Sequence, residues 1–517
     1  MLFKAASCSY EQVPYRNDPY PESHPDRLAT VAILAGLAPP PVHDCRVLEL
    51  GCARGGNLIP MAVALPGARF LGIDSSPRQV EEACELIGRL GLCNIRVEAR
   101  DILDLDPTIG SFDYIICHGT FSWVPRDVQE KILDISAEVL APDGVLYVSY
   151  NTYPGWHFRG LVREMMSFHV RRFTQPEVIA KEARGILQFM TESAHSIEPV
   201  YSGLLRQELD YVNARSDSYL LHDHLETVND PVYFHDLASR ARARGLRFVS
   251  EVQGTVVPVE SLPPDVANGL RQLGSDEIDF EQYLDFVINR RFRQSVFYRE
   301  GAESGGRANA CRLGGLHACA RNTADHGAAS SEDSPLLKGA LGQLGRVWPL
   351  SVPVDSLVQA ARNQMGDGEA SDPHADRMDS AAEDFQSGLI RCYRQKRLEL
   401  RTLPPSFVTE VRDKPKASPL ARAQAVAGDT VTNLRHEAGQ LNEFGREVLA
   451  LLDGNHDRSA IVAALVLAVE TGRVPLKRPD PDRMAGPEGR LRTVSEAVED
   501  SLEDCLKKLA RFALLVA

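Results

Sequence analysis

The run Val47-Leu48-Glu49-Leu50-Gly51-Cys52-Ala53-Arg54-Gly55-Gly56-Asn57 constrains this chain more than any other stretch. It reads as a buried strand, a glycine turn and the start of a helix that continues through Leu58–Leu65. Gly51 and Gly55 permit positive φ and a close approach of backbone to ligand. Glu49 stands at the carboxyl end of the strand, where open α/β sheets bind ligands. The dinucleotide loop G-x-G-x-x-G cradles a pyrophosphate on a helix N-terminus. Here the spacing is E-x-G-x-x-x-G. A carboxylate two residues before the first glycine repels phosphate and attracts an ammonium group. The expected ligand is therefore S-adenosylmethionine (SAM), whose amino-acid end carries an ammonium, rather than a dinucleotide.

Further strands follow at regular spacing. Phe70–Asp74 is short and apolar and ends in an acid about 20 residues past the loop, the usual place for a carboxylate that accepts ribose hydroxyls. Ile95–Ile102 places Asp101 to bind an adenine amino group and Ile102 against the ring. Phe112–His118 ends in a polar loop, and Val145–Tyr150 follows the turn Asp143-Gly144. Helical patterns at 77–90 and 125–140 separate them. Five β-α units of this kind predict a doubly wound parallel sheet, a Rossmann-like α/β core. The candidate cofactor residues are Glu49, Gly51, Gly55, Asn57, Asp74, Ser75, Asp101, Ile102 and His118.

Two aromatic loops follow strands four and five: His118-Gly119-Thr120-Phe121-Ser122-Trp123 and Asn151-Thr152-Tyr153-Pro154-Gly155-Trp156-His157. Both belong at the carboxyl edge of the sheet. Phe121, Trp123, Tyr153 and Trp156 are the candidate acceptor pocket, because aromatic walls attract cations. Packing of the loops is the plainer reading of the two tryptophans. His118, Tyr153 and His157 are candidate catalytic or acceptor-orienting groups. Upstream, prolines at 14, 19, 21 and 25 keep the chain extended. Tyr10, Tyr15 and Tyr20 in that arm are candidates for a lid that excludes water; the alternative is an ordinary arm packed on the sheet.

At 517 residues the chain exceeds a single core. The net charge of −14 makes nucleic acid an unlikely partner. No secretory signal pattern opens the sequence, and its longest purely apolar run (461–469) is far too short to span a membrane. The ten cysteines show no C-x-x-C pair, and a reducing, cytoplasmic setting is expected. His222, His224, Glu226 and His235 read as polar groups at a domain contact rather than as metal ligands; Cys311 and Cys319 flank His317 in a flexible stretch with no fourth ligand apparent, and no metal is expected. Residues 237–252 read as a helix, a glycine stop and a strand that would add late to the catalytic sheet. Asp276–Arg299 reads as one amphipathic helix, 300–340 and 364–386 as linkers, and the last hundred residues as a helical, winged-helix-like module, with Ser459 capping the helix 460–470.

The segments RVLELGCARGGNLIPMA, CHGTFSWVP, YNTYPGWH, HDHLETVNDPVYFHD and YLDFVINRRFRQ resemble one branch of the class I SAM-dependent methyltransferases, which carries a methyltransferase regulatory domain. That branch includes the rickettsial protein lysine methyltransferases acting on outer-membrane protein. The resemblance implies a catalytic core with its lid over 1–170, a regulatory middle domain over 171–300, a linker over 301–345 and a C-terminal helical domain over 346–517. It also implies a protein lysine acceptor. A small-molecule N- or O-methyltransferase of the same fold, and a SAM-binding protein without activity, are the alternatives.

Overall fold

A computed structural model describes residues 17–252, 262–301, 313–321, 333–366, 375–475 and 493–517. Alternation along the first strand, β1 (Arg46–Leu50), sets the layout. Val47 faces a core shared with helices α1 (Pro25–Leu34), α2 (Leu58–Ala64) and α3 (Pro77–Leu90). Leu48 and Leu50 face the opposite core, closed by α4 (Arg126–Val139) and by a later helix, Phe234–Arg242. A strand buried on both faces is what a sheet sandwiched between helices requires. The strands β2 (Arg69–Asp74), β3 (Ile95–Ala99), β4 (Phe112–Cys117) and β5 (Leu140–Asn151) run parallel to it. Local signals bound the helices: Ser76 caps α3 through the Gln79 amide, Pro77 opens it, and Gly91 stops it in the left-handed region.

After β5 the chain leaves the sheet. Helices α5 (Gly155–Val170), α6 (Pro176–Ala194), α7 (Pro199–Asn213) and α8 (Asp217–Asp223) pack around their own apolar core. The chain then returns through α9 (Phe234–Arg242) to β6 (Leu246–Glu251). Helices α10 (Pro264–Leu273) and α11 (Glu277–Ile288) precede β7 (Phe292–Arg299). The finished seven-stranded sheet has the order β3-β2-β1-β4-β5-β7-β6, with β7 antiparallel to both neighbours.

The last strand corrects one expectation. Asp276–Arg299 is not one helix: Asn289 takes φ +50 and ends α11, and the chain resumes as a strand. The driving force lies in Arg293, fully buried in β7. It donates to Asp285 and Glu251 at 2.8 and 2.7 Å, pairing that requires the chain to turn back beneath α11. The catalytic sheet thus takes β6 and β7 from residues 246–299; β6 is the late strand expected after the glycine stop, and β7 is the one the sequence hid.

The expected linkers also carry structure. Strand β8 (His317–Ala320) pairs with β9 (Val352–Pro353) and β10 (Leu398–Arg401). With α12 (Pro335–Val347), α13 (Val354–Gly366) and α14 (Ala375–Arg394) it encloses a separate core. Leu313, Leu316 and Ala318 are buried there, and such spaced apolar residues are faint against a Gly- and Ala-rich background.

The C-terminal unit holds another core, made of β11 (Lys416–Ala417), α15 (Pro419–Ala427), the hairpin β12 (Thr430–Thr432) and β13 (Ala438–Gln440), α16 (Glu443–Leu451), α17 (Arg458–Glu470), α18 (Val494–Arg511) and β14 (Leu515–Val516). Helix α17 starts one residue before Ser459 and is capped by Asp457 instead, whose side chain accepts from the Ala460 amide. Among the described residues no helix is long and apolar enough to cross a membrane, and no three potential metal-binding side chains gather. His224, one of the histidines weighed above, is buried against Tyr211 and Tyr219, and burial drops its pKa to about 3.

Candidate active site

The glycine turn adopts the conformation its residues allow. Gly51 has φ +79, and a Cβ there would lie 2.1 Å from Thr120 Oγ1 in the β4 loop. Gly56 faces the arm before α1: a Cβ there would lie 2.3 Å from the Asn17 carbonyl oxygen. The second glycine of the Gly55-Gly56 pair thus serves the seating of the arm.

Glu49 is buried at the end of β1. Its Oε1 accepts from Asn57 Nδ2 at 2.7 Å, while Oε2, also buried, has no hydrogen-bond partner among the described residues. Burial raises the carboxyl to about 7, against the opposing hydrogen bond from Asn57. A buried acid with a bare oxygen fits a cationic ligand group, because an ammonium would stabilise the charge that burial opposes. Asp74 stands across the turn, where it accepts from the amides of Ala53 and Ser76 at 2.8 and 2.9 Å. Burial raises its pKa too, against those two bonds. Asp74 thereby holds the turn from behind while its remaining lone pairs stay free for hydroxyl donors. These two acids and the tight turn suit SAM.

The other expected cofactor residues are placed less tightly. Ser75 is exposed. Asp101 is exposed as well and accepts from the Leu103 amide at 2.9 Å, capping a short turn, while Ile102 is buried behind it. His118 lies between two phenols. The Tyr20 ring stacks on it at 3.7 Å, and Tyr147 hydroxyl meets Nδ1 at 2.8 Å. Gln294 donates to the same hydroxyl, which leaves the phenol proton free for Nδ1. Desolvation lowers the His118 pKa to about 3, so the ring is neutral and a weak proton acceptor near neutral pH. Tyr10 and Tyr15 lie outside the described residues.

The acceptor candidates divide. Phe121 is fully buried against Tyr150 and belongs to the core rather than to a pocket wall, because the short turn Phe121–Trp123 points its first side chain inward. Trp123 is half-buried and meets Trp156 edge-on at 6.2 Å. Trp156 is itself nearly buried beneath Arg159. Tyr153 stacks on His157 at 4.2 Å, and His157 Nε2 meets the Tyr233 hydroxyl at 3.0 Å. The three candidate catalytic groups therefore fall in two clusters, His118 in one, Tyr153 and His157 in the other.

Reading the sequence missed Ser23, Tyr147 and His436. Asn57 Nδ2 donates to Ser23 Oγ at 2.9 Å, and Asn57 Oδ1 receives His436 Nε2 at 2.8 Å from 379 residues away. A tyrosine inside a buried strand gives a weak signal for Tyr147; the other two carry none in the local pattern.

Comparison with known proteins matches this arrangement. A methyltransferase domain is found at residues 47–144, the family described as predicted methyltransferase regulatory domain at 216–299, and the PKMT C-terminal winged helix domain at 413–514. The chain is 31% identical to the uncharacterized protein RP789 of Rickettsia prowazekii (strain Madrid E), over 98% of this chain and 93% of that one. The structure of PKMT2 from Rickettsia typhi superposes with a TM-score of 0.83 at 26% identity, covering 97% of this chain and all of that one. The same protein in complex with AdoHcy gives 0.79 over 98% of this chain.

Proposed function

Since the chain belongs to the SAM-dependent methyltransferases that join a methyltransferase domain, a regulatory domain and a PKMT-type winged helix, we propose that it methylates lysine side chains of a protein. The observation that carries this reading is the likeness to PKMT2 along the whole chain, winged-helix unit included, together with the resemblance of the sequence motifs to the protein lysine methyltransferases. The half-exposed aromatic edge made by Trp123, Tyr153 and His157 supports it, since such walls hold cations and methylated ammoniums. The boundaries of the middle and C-terminal units, and a cytoplasmic setting, belong to the same proposal.

SAM supplies an electrophilic methyl group on a sulfonium. Glu49 pairs with its ammonium, the Gly51 turn admits the amino-acid end, and Asp74 accepts from ribose hydroxyls. Asp101 and Ile102 would hold the adenine and Ser75 the ribose, with His118 as a neutral wall. The amine lone pair would attack the methyl carbon opposite its bond to sulfur, the bonding pair would stay with sulfur as a neutral thioether, and the new ammonium would give its extra proton to solvent. A lysine pKa near 10.4 leaves roughly one amine in a thousand neutral at pH 7.4. Desolvation against Trp123 and Tyr153 raises that fraction, so no dedicated base is required. His157 and Tyr153 orient the amine.

The test is incubation with radiolabelled SAM and two acceptor pools, cell-envelope protein and a filtrate of small metabolites. Label recovered on lysine is the expected result. Label confined to the filtrate would move the activity to a small molecule while keeping the cofactor.

A further inference from the structure

We propose that His436, on the C-terminal unit, is a positioning residue for the cofactor site. The inference rests on the SAM-dependent reading above. It begins with Asn57, whose side chain is buried and fully engaged. Its Nδ2 donates to Glu49 Oε1 and to Ser23 Oγ, at 2.7 and 2.9 Å. Its Oδ1 accepts from the Tyr20 amide at 2.9 Å. Those partners pin the amide's orientation, because a carboxylate oxygen can only accept and a backbone N–H can only donate. His436 Nε2 lies 2.8 Å from that same Oδ1 and must carry the proton. One hydrogen bond thus ties the C-terminal unit to the residue that holds Glu49.

The surrounding structure presents His436 for this contact. It sits in the turn between β12 and β13 with φ +65, a conformation few L-residues adopt. Asn433 builds the turn, its Oδ1 accepting from the amides of Arg435 and Glu437, each at 2.9 Å. Arg435 anchors one side through Glu399, which also holds Arg27 and Arg401. Burial, then His24, Arg401 and Arg27, push the His436 pKa well below 6.5, so the ring is a neutral donor. Strain at φ, full burial and a fixed tautomer converge on one contact across the domain boundary. The arm joins the same hub: the Tyr20 backbone bonds Asn57 while its ring covers His118. The C-terminal unit therefore sets the geometry of Glu49 and of the arm together, without touching the cofactor.

Two full-length variants test this. His436→Asn tolerates the left-handed backbone but is too short to reach Asn57. His436→Gln keeps an amide donor at longer reach. Titration calorimetry with SAM is expected to show about tenfold weaker binding for His436→Asn, the effect of one lost buried hydrogen bond, and recovery to within about threefold for His436→Gln. Wild-type affinity in a folded His436→Asn chain would overturn the proposal, as would an equal loss in both variants, which would mark a purely structural role. Should His436→Asn fail to fold, His436→Gly, which accepts the positive φ and removes the donor, combined with Asn57→Ala decides. Losses smaller than additive support the coupling, and additive losses overturn it. A wild-type chain that binds no SAM would instead overturn the cofactor reading, and this inference with it.

Discussion

The turn after β1 and the loop after β5 serve the same edge of one sheet, yet they are built in opposite ways. The first is made of short polar bonds among buried groups: Glu49, Asn57, Asp74 and two backbone amides. The second is made of rings: Tyr153, His157 and Tyr233 touch mainly through their faces and edges, with the exposed Phe286 beside them. Directional bonds demand one ligand geometry and are intolerant of replacement. Stacked rings offer broad, sequence-tolerant contact to cationic or apolar groups. The difference teaches what the proposed site would require: a methyl donor held by atoms and an acceptor met by surface.

Four substitutions probe that contrast. Asp74→Ala removes two charge-assisted bonds that hold the turn and is expected to weaken SAM binding by about a hundredfold or more. Calorimetry showing normal affinity would break the assignment. Glu49→Gln comes next, at about ten- to a hundredfold, with a distinctive pH dependence. The Glu49 carboxyl titrates at about 7 in the ligand-free protein, and the ionised form is the one that pairs with an ammonium. Wild-type affinity should therefore fall as pH drops below about 7. It should fall again above about 8, where an α-amino group loses its proton. The Glu49→Gln titration should be flat on the acid side.

On the other loop, Trp123→Ala is expected to raise the acceptor KM by about tenfold while the SAM dissociation constant stays put. Steady-state kinetics with varied acceptor distinguishes the two constants. His157→Ala should have the smallest effect, about two- to threefold in kcat/KM, because the side chain is exposed and bonded to a single hydroxyl. A larger loss there than at Asp74 would reverse the comparison.

The same division decides what the sequence disclosed. Strands β1 to β5 are marked by apolar or alternating runs at regular spacing, so their succession along the chain could be read. Glu49, Gly51 and Asp74 could be named because each ends a strand or opens a turn in a motif readable by itself, although Asp74 bonds Ala53 and Gly51 abuts Thr120. Strand β7 was hidden: Phe292-Arg293-Gln294-Ser295 holds a buried arginine where a strand core should be apolar, and its partners lie on a preceding helix and on β6. Strand β8 was hidden by its small residues. His436 could not be found at all, since its meaning is a contact with Asn57 at the far end of the chain. Motifs could be read where the residues lie close in the sequence; the coupling between Asn57 and His436 could not.

The excursion between β5 and β7 has a consequence for how the protein is made. Strand β5 is buried along most of its length in the finished sheet, where β7 covers its outer edge. During synthesis, residues 152–291 must emerge before that cover exists, a delay on the order of ten seconds. Throughout it Val145–Tyr150 presents a bare, apolar strand edge, the kind that pairs with other chains. The helices α5–α8, whose contacts are local, can fold within that interval. The nascent chain is therefore most prone to aggregate after its cofactor half has formed and before its sheet is closed.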